Sequence, residues 1–326
     1  MKTIFIINPC AGQKKNIDAF VSSVQSAIKK MGADASLYVT KSVGDATRFV
    51  SDYCLSNGPA RFIACGGDGT VSEVLNGITN CPDSEIGVVP MGTGNDFCRN
   101  FPSDCNFQNV CYQIGGGAEK CDAIRYKTLV DGKIMEGYCV NMFNIGFDCN
   151  VADMTANMKK KPFMSGSFAY FASILVSLIR KKGANLQIEI DSELCHRGPL
   201  LLTSLANGSY CGGGVKSNPL ASVTDGMINI NIIKNISRWR FIYLLPYYMK
   251  GTVLKLSGIE KYLLSKKCHR VTVTPTSGTM RLCIDGEIVT AGKTEFEIVP
   301  EFFNFVVPKK RIEKVNYYAK ILKPKT

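Results

Sequence analysis

In the stretch ACGGDGTVSEVLNGI (residues 64–78), one acidic side chain, Asp68, stands among Gly66, Gly67 and Gly69, with Thr70 next. An apolar run, Arg61 to Cys65, leads into it, and Val71, Val74, Leu75 and Ile78 follow at i, i+3, i+4, i+7 spacing. The pattern ends a strand and begins a helix at this carboxylate. Glycines let backbone amides approach an anion closely, and a helix N-terminus adds positive potential, so the spot suits phosphate. A carboxylate there would repel bare phosphate. Asp68 therefore makes chemical sense beside Mg2+, or as a base toward an acceptor hydroxyl.

Three other loops share this setting: NPCAG (8–12), VTKSVGD (39–45) and PMGTGND (90–96), the last holding a second acid, Asp96. Each follows a strand-like run: TIFIINP, ASLYVT and IGVVP. Helical spacing separates the runs, with Ile17, Phe20, Val21, Val24, Ile28 and Met31 in the first helix. Ala46, Phe49, Val50 and Tyr53 lie on the second, which Asp45 can cap, and a further helix should start near Asn95. This βαβα rhythm predicts a parallel sheet covered on both faces, whose four special loops meet at the carboxyl rim of the strands. The standard phosphate loop is absent. GEIVTAGKT (286–294) has five residues between its glycines instead of four and no helix after it.

After Cys121 the rhythm changes. YCVNMFNIGFD, NLQIEID, PLLLTSLANGS, MININ, RVTVTPT, MRLCIDGEIV and TEFEIVPEFFNFVVP are strand-like and separated by turns, with helical patterns only near 166–182 and 238–256. Two domains are expected: an α/β unit over 1–120 and a mostly antiparallel, β-rich unit over 121–308. The basic tail 309–326 can return to the first. At 326 residues, 45% hydrophobic and 20% charged, the chain is long enough for two packed cores. The net charge of +12 suits an anionic partner (nucleotide, nucleic acid or acidic membrane surface), although lysines spread over a solvated surface give the same total. Fourteen cysteines without C-x-x-C spacing, and only two histidines (His196, His269), disfavour a zinc cluster. The cysteines read as small buried hydrophobes of a reducing cytoplasm.

GGDGTVSEVLNG, PMGTGND and NPCAG resemble the catalytic domain of diacylglycerol kinases, specifically the soluble bacterial lipid kinases related to sphingosine and ceramide kinases. NGSYCGGGVKSNPLASVTDGMINI and the late IDGE extend the resemblance along the whole chain. It implies a Rossmann-like first domain akin to NAD kinases, a β-sandwich second domain, and a nucleotide cleft between them. It implies ATP and Mg2+ as cofactors and phosphoryl transfer to a lipid alcohol, most simply diacylglycerol giving phosphatidic acid. A sphingoid base or ceramide fits the same motifs. A soluble-substrate kinase of the NAD kinase type, or an inactive lipid or nucleotide sensor, are the rival readings.

Mapped by position, the nucleotide set is Asn8, Gly12, Thr40, Gly66, Gly67, Asp68, Gly69, Thr70, Glu73, Gly92, Thr93, Asn95 and Asp96. Asp68, Asp285 and Glu287 are the catalytic acids, with the base unassigned among them. A structural Mg2+ site would use Ser222 and Met227 through backbone carbonyls and Asp225 through its carboxylate. The family's usual NPxSG is NPCAG here, where Ala11 removes one hydroxyl. Partners expected are a lipid alcohol and an anionic membrane surface, with no nucleic acid, and a homodimer is compatible with the sequence. The expected location is the cytoplasm, peripheral to the inner face of the membrane. Two stretches join cations to interfacial aromatics, RWRFIYLLPYYMKGTVLK (238–255) and FMSGSFAYFASILVSLIRKK (163–182), although most of their apolar residues read as core.

Overall fold

The computed structural model describes residues 1–11, 17–147, 149 and 183–308. β1 (Thr3–Ile7) is buried along its whole length and pairs in parallel with β2 (Ala35–Val39) and β3 (Arg61–Gly66). β3 pairs in parallel with β4 (Glu85–Pro90). A strand covered on both faces is apolar throughout, which is why these segments read as runs and not as alternations. α1 (Ile17–Met31) turns Val24 onto Phe5, Ile7 and Ile63 on one face of the sheet. On the other face, α2 (Asp45–Asn57) and α3 (Asp68–Gly77) pack Val50, Val74 and Leu75 against Ile4, Ile6 and Phe62. The two helices nearly touch, because a Cβ on Gly77 would sit 2.7 Å from the Cβ of Val50.

Two local expectations need correction. Asp45 does not cap α2; Gly44, left-handed at φ 79°, holds that position. Asp45 is the first helical residue, and its Oδ2 accepts hydrogen bonds from the Lys41 N–H and the Tyr38 hydroxyl. No α-helix starts near Asn95 either. A single 3-10 turn, Phe97–Asn100, stands there, and α4 (Val110–Gly115) begins later. The cause is local. The N–H groups that would open the helix bond to Asp68, and Phe101 is extended ahead of Pro102.

The second half is antiparallel. β5 (Gly117–Val130) and β6 (Lys133–Cys139) form a hairpin. β7 (Met142–Gly146), β8 (Ala184–Ile190), β9 (Glu193–Ala206), β10 (Ile228–Lys234) and β11 (Leu263–Cys268) pair as β7-β9-β8 and β9-β10-β11. β12 (Arg270–Pro275) continues beside β8, while β13 (Met280–Ile284) and β14 (Glu287–Ala291) form a hairpin on β7. Inward-facing Phe143, Ile188, Leu205, Ile230, Val271 and Phe296 make its core. α5 (Arg238–Met249), capped by the Ser237 hydroxyl, lies over β9 and β10. It ends earlier than the expected 238–256; two 3-10 turns follow. The other expected helix, near 166–182, and the tail 309–326 lie outside the described residues.

β15 (Thr294–Val307) joins the halves. It runs antiparallel to β12 and β5, and its last residues pair in parallel with β4, Phe305 opposite Ile86. The register shifts between Val299 and Phe303, where Glu301 is left-handed (φ 50°), and this irregularity redirects the strand. Phe303 and Phe305 thereby enter the first core beside Phe97. A line at residue 120 therefore passes through β5, and both long strands belong to the two layers together. Among the described residues, no helix is long and apolar enough to cross a membrane.

Candidate functional site

Parallel strands end on one edge, and the four loops meet there. The Asn8 amide donates to Thr70 Oγ1 (3.1 Å), and its own Oδ1 accepts from the Cys10 N–H. The Thr40 N–H bonds to the Ile7 carbonyl, and Met91 and Gly92 N–H groups reach the Gly66 carbonyl. Thr40 is buried, while Thr93 is exposed on the rim. Asn95, left-handed at φ 51°, closes its loop with two bonds to the Gly92 backbone.

The glycines serve packing. A Cβ on Gly92 would lie 2.6 Å from the Gly67 Cα, and one on Gly66 would lie 2.2 Å from Thr70 Oγ1. The GGDGT and PMGTG loops thus press backbone to backbone. Gly69 is the open one, its nearest neighbour across the cleft being Glu287 Oε1, 3.8 Å from where a Cβ would stand. The Thr70 and Val71 N–H groups bond to the Gly67 carbonyl, which leaves the Asp68 and Gly69 amides at the positive end of α3. Gly12 lies outside the described residues. Glu73 faces away from this edge in function: its carboxylate accepts the Ala46 N–H and its carbonyl the Thr47 hydroxyl, tying α3 to α2.

The acids divide by their partners. Asp68 Oδ1 accepts the N–H groups of Asp96 (2.8 Å) and Phe97 (3.4 Å), and Oδ2 points toward Gly94. Burial first, then the charge of Asp96, push its pKa up to about 6. The Asp96 carboxylate is buried and held by the N–H groups of Gly213 (2.9 Å) and Gly214 (2.7 Å) of the second half, with Arg99 alongside at 3.4 Å. It is therefore a clamp between the halves, and not a group turned toward phosphate.

Asp285 is committed in the same way. It accepts the N–H groups of Val140, Asn141 and Met142 at 2.9–3.0 Å and the Cys139 thiol at 3.0 Å. Burial raises its pKa, against the lowering effect of these bonds. Asp285 and Gly286 are both at positive φ (45° and 100°) between paired Ile284 and Glu287, the two-residue turn of a β-hairpin. The turn leaves Glu287 exposed and near Gly69. The structure therefore brings Glu287 to Gly69, the neighbour of Asp68 in the chain, and gives Asp285, whose charge also acts on Asp68, the duty of holding β7 to the β13–β14 turn.

The Ser222–Met227 loop fits a divalent ion poorly. Asp225 Oδ2 pairs with Lys267 Nζ at 2.5 Å, and its Oδ1 accepts the Met227 N–H. The Ser222 hydroxyl turns to Thr224. An ammonium thus meets the one carboxylate of the set, where a metal would need it. The cleft itself is different. Among the described residues, no three His, Cys, Asp or Glu side chains gather into a cage. Asp68 would suit Mg2+ of the kind that arrives on phosphates and takes one carboxylate. Bound there, it would offset phosphate charge.

Sequence reasoning missed Gly213, Gly214 and Asp122. The triple glycine after Cys211 was a visible signal, since consecutive glycines can form an anion-holding backbone turn. Asp122 is buried and accepts the Gly226 and Glu301 N–H groups, anchoring the 222–227 loop beside the β15 irregularity. Nothing in its local pattern marked it.

Residues 2–126 match the family model described as the diacylglycerol kinase catalytic domain. Residues 141–307 match the one described as the YegS C-terminal NAD kinase beta sandwich-like domain. A diacylglycerol kinase of Bacillus subtilis is 27% identical over 315 residues, covering 95% of this chain and 98% of its own. One of Staphylococcus carnosus is 30% identical over 285 residues, 86% of this chain and 87% of its own. The crystal structure of a diacylglycerol kinase from Bacillus anthracis matches with TM-score 0.66 at 19% identity, covering 94% of this chain and 96% of that one. Yeast NADH kinase complexed with NADH matches at 0.51 and 13%, over 100% and 89%. At these identities the two structures speak for the fold alone.

Proposed function

Because the chain belongs to the diacylglycerol kinase family, and is a kinase, we propose that it transfers the γ-phosphate of ATP to the hydroxyl of diacylglycerol, giving phosphatidic acid. The observation that carries this reading is the approach of Glu287, from the second half, to Gly69 beside Asp68, at the edge where the four loops converge. Phosphoryl transfer to an alcohol needs aligned reactants, offset charge and a group to take the hydroxyl proton. The amides at the start of α3 hold phosphate. Asp68, oriented by the Asp96 and Phe97 N–H groups, faces the transferring group. Glu287, arriving from the second half, takes the acceptor's proton.

The enzyme works in the cytoplasm at the inner face of an anionic membrane. The surface that supports this is α5, where Trp239 is 83% exposed and Ile242 and Tyr243 are also exposed beside Arg238, Arg240 and Lys250. Aromatic rings with cations suit the headgroup region. Residues 180–182, the other expected membrane contact, lie outside the described residues. The test is ATP consumption with Mg2+ against diacylglycerol, sphingosine and ceramide in anionic and neutral vesicles, with NAD as a soluble rival. Diacylglycerol in anionic vesicles should turn over fastest. Phosphorylation of NAD with no lipid product would overturn the proposal.

A further inference from the structure

Asn100 ends the single 3-10 turn after Asp96, and its carboxamide bonds in two directions at once. Its Nδ2 donates back to the Phe97 carbonyl at 3.0 Å and to the Asp96 carbonyl at 3.5 Å. Its Oδ1 accepts the N–H of Ser209, in the second half, at 2.7 Å. A carboxamide offers donor and acceptor from one planar group. On the first-half side, the Asp96 carbonyl and the Phe97 N–H belong to one peptide group, and that N–H, with that of Asp96, bonds to Asp68 Oδ1. On the second-half side, Ser209 follows Asn207 and Gly208, whose N–H groups both bond to the Asn141 carbonyl, at 2.8 and 3.0 Å. Asn141 donates its own N–H to Asp285, in the turn that delivers Glu287, and its side-chain amide to the Tyr210 carbonyl. A run of hydrogen bonds and short covalent links thus leads from Asp68 to the Asp285 turn, and Asn100 carries it from one half to the other.

Resting on the lipid-kinase reading, we propose that Asn100 is a positioning residue for phosphoryl transfer: it registers the loop that orients Asp68 against the strand and turn that carry Glu287. Three observations converge. The first is the number of attachments. The segment after Ala206 is held by Asp96 through Gly213 and Gly214, and by Asn100 through Ser209. One attachment leaves a pivot; two, set residues apart, fix an orientation. The second is closeness of fit. A Cβ on Gly208 would stand 2.6 Å from Asn100 Nδ2 and closer still to Asn141 Oδ1, so this glycine lets the segment seat against both carboxamides. The third is direction. Hydrogen bonds linked through one peptide group polarise one another, so the Asn100 bond to the Asp96 carbonyl strengthens the Phe97 N–H as a donor to Asp68.

The test reads amide hydrogen exchange in the isotope-labelled full-length protein without ATP, and then steady-state kinetics. Asn100→Ala should speed exchange about tenfold at Ser209, at Asp96 and Phe97, and at Asn207 and Gly208. The kcat with diacylglycerol should fall at least about tenfold, since a misplacement of about 1 Å costs up to about 10²-fold. KM for ATP should stay within about twofold, because the loops at Asn8 and Thr40 keep their own bonds. Asn100→Asp, of the same shape, keeps an acceptor for Ser209 and loses the donor. Ser209 should then stay protected while Asp96 and Phe97 exchange faster and kcat falls; should Asn100→Ala not fold, this variant decides. Asn57→Ala, which removes a comparable bond to the Tyr53 carbonyl on exposed surface of α2, should change none of these. The proposal is overturned if Asn100→Ala quickens exchange at Ser209 alone, if KM for ATP rises in step with the fall in kcat, or if either Asn100 variant keeps wild-type kcat. If exchange spreads as expected but no lipid alcohol is ever phosphorylated, the link through Asn100 stands and the lipid-kinase reading falls.

Discussion

Replacing Asp68 by Asn should stabilise the protein without nucleotide while abolishing turnover, and the stabilisation should depend on pH. The amide oxygen of Asn can still accept the Asp96 and Phe97 N–H bonds that hold Oδ1, so the swap removes charge and little else. The wild-type carboxyl titrates near about 6, against 3.8 when unperturbed, because it is buried and close to Asp96. Two units correspond to about 3 kcal/mol at about 1.36 kcal/mol per unit. The sign follows from proton binding. Between the two pKa values the native state holds more protons than the unfolded one, so stability is full below about pH 4 and is lost as pH rises through about 6. Asn escapes that loss. Thermal melts of both proteins in EDTA should therefore differ by a constant offset at low pH, with the gap widening by several degrees in favour of Asn by about pH 8. A gap that stays constant across the range, or widens as pH falls, would refute the argument that Asp68 is a strained, charged group kept for catalysis.

Glu287→Gln should lower kcat roughly 10²- to 10⁴-fold, the usual worth of a proton-transfer group, with the melting temperature unchanged. Asp285→Ala should instead destabilise the fold by at least about 2 kcal/mol, because three buried N–H groups lose their acceptor; denaturant titration separates the two cases. Gly92→Ala forces a Cβ to within 2.6 Å of the Gly67 Cα, so it should raise KM for ATP at least tenfold, read by steady-state kinetics. Mg2+ alone should leave the wild-type melting temperature unchanged, since Lys267 already meets Asp225; Lys267→Ala should make melting respond to Mg2+, and Asp225→Ala on top of it should remove that response.

The parts legible in the sequence were those encoded locally. Strand runs such as TIFII, the spacing of Val71, Val74 and Leu75, and the clustering of glycine around Asp68 each report on a few consecutive residues, and the structure makes of them a buried strand, a core-facing helix side and the turn between strand and helix. IDGE was legible too, but its turn chemistry was the better guide to Asp285. An Asp-Gly pair between alternating apolar residues is a hairpin signal, and the structure repeats it at Asp131 and Gly132, between Val130 and Lys133. Read that way, the pair closes the β13–β14 hairpin and leaves Glu287 as the acid free to meet substrate.

What escaped the sequence depends on contacts between distant segments. No local pattern says that Gly67 and Gly92 will touch, that β15 will leave its antiparallel partners to complete the parallel sheet, or that Lys267 will face Asp225. The Asp96 clamp belongs to this class and links fold to chemistry. Its carboxylate crosses from the nucleotide-side loops to Gly213 and Gly214, while its N–H orients Asp68. The same charge helps raise the Asp68 pKa. One side chain thus joins the two halves and tunes the acid between them, so a change in how the halves sit would be felt at Asp68, the proposed catalytic carboxylate, through a single residue.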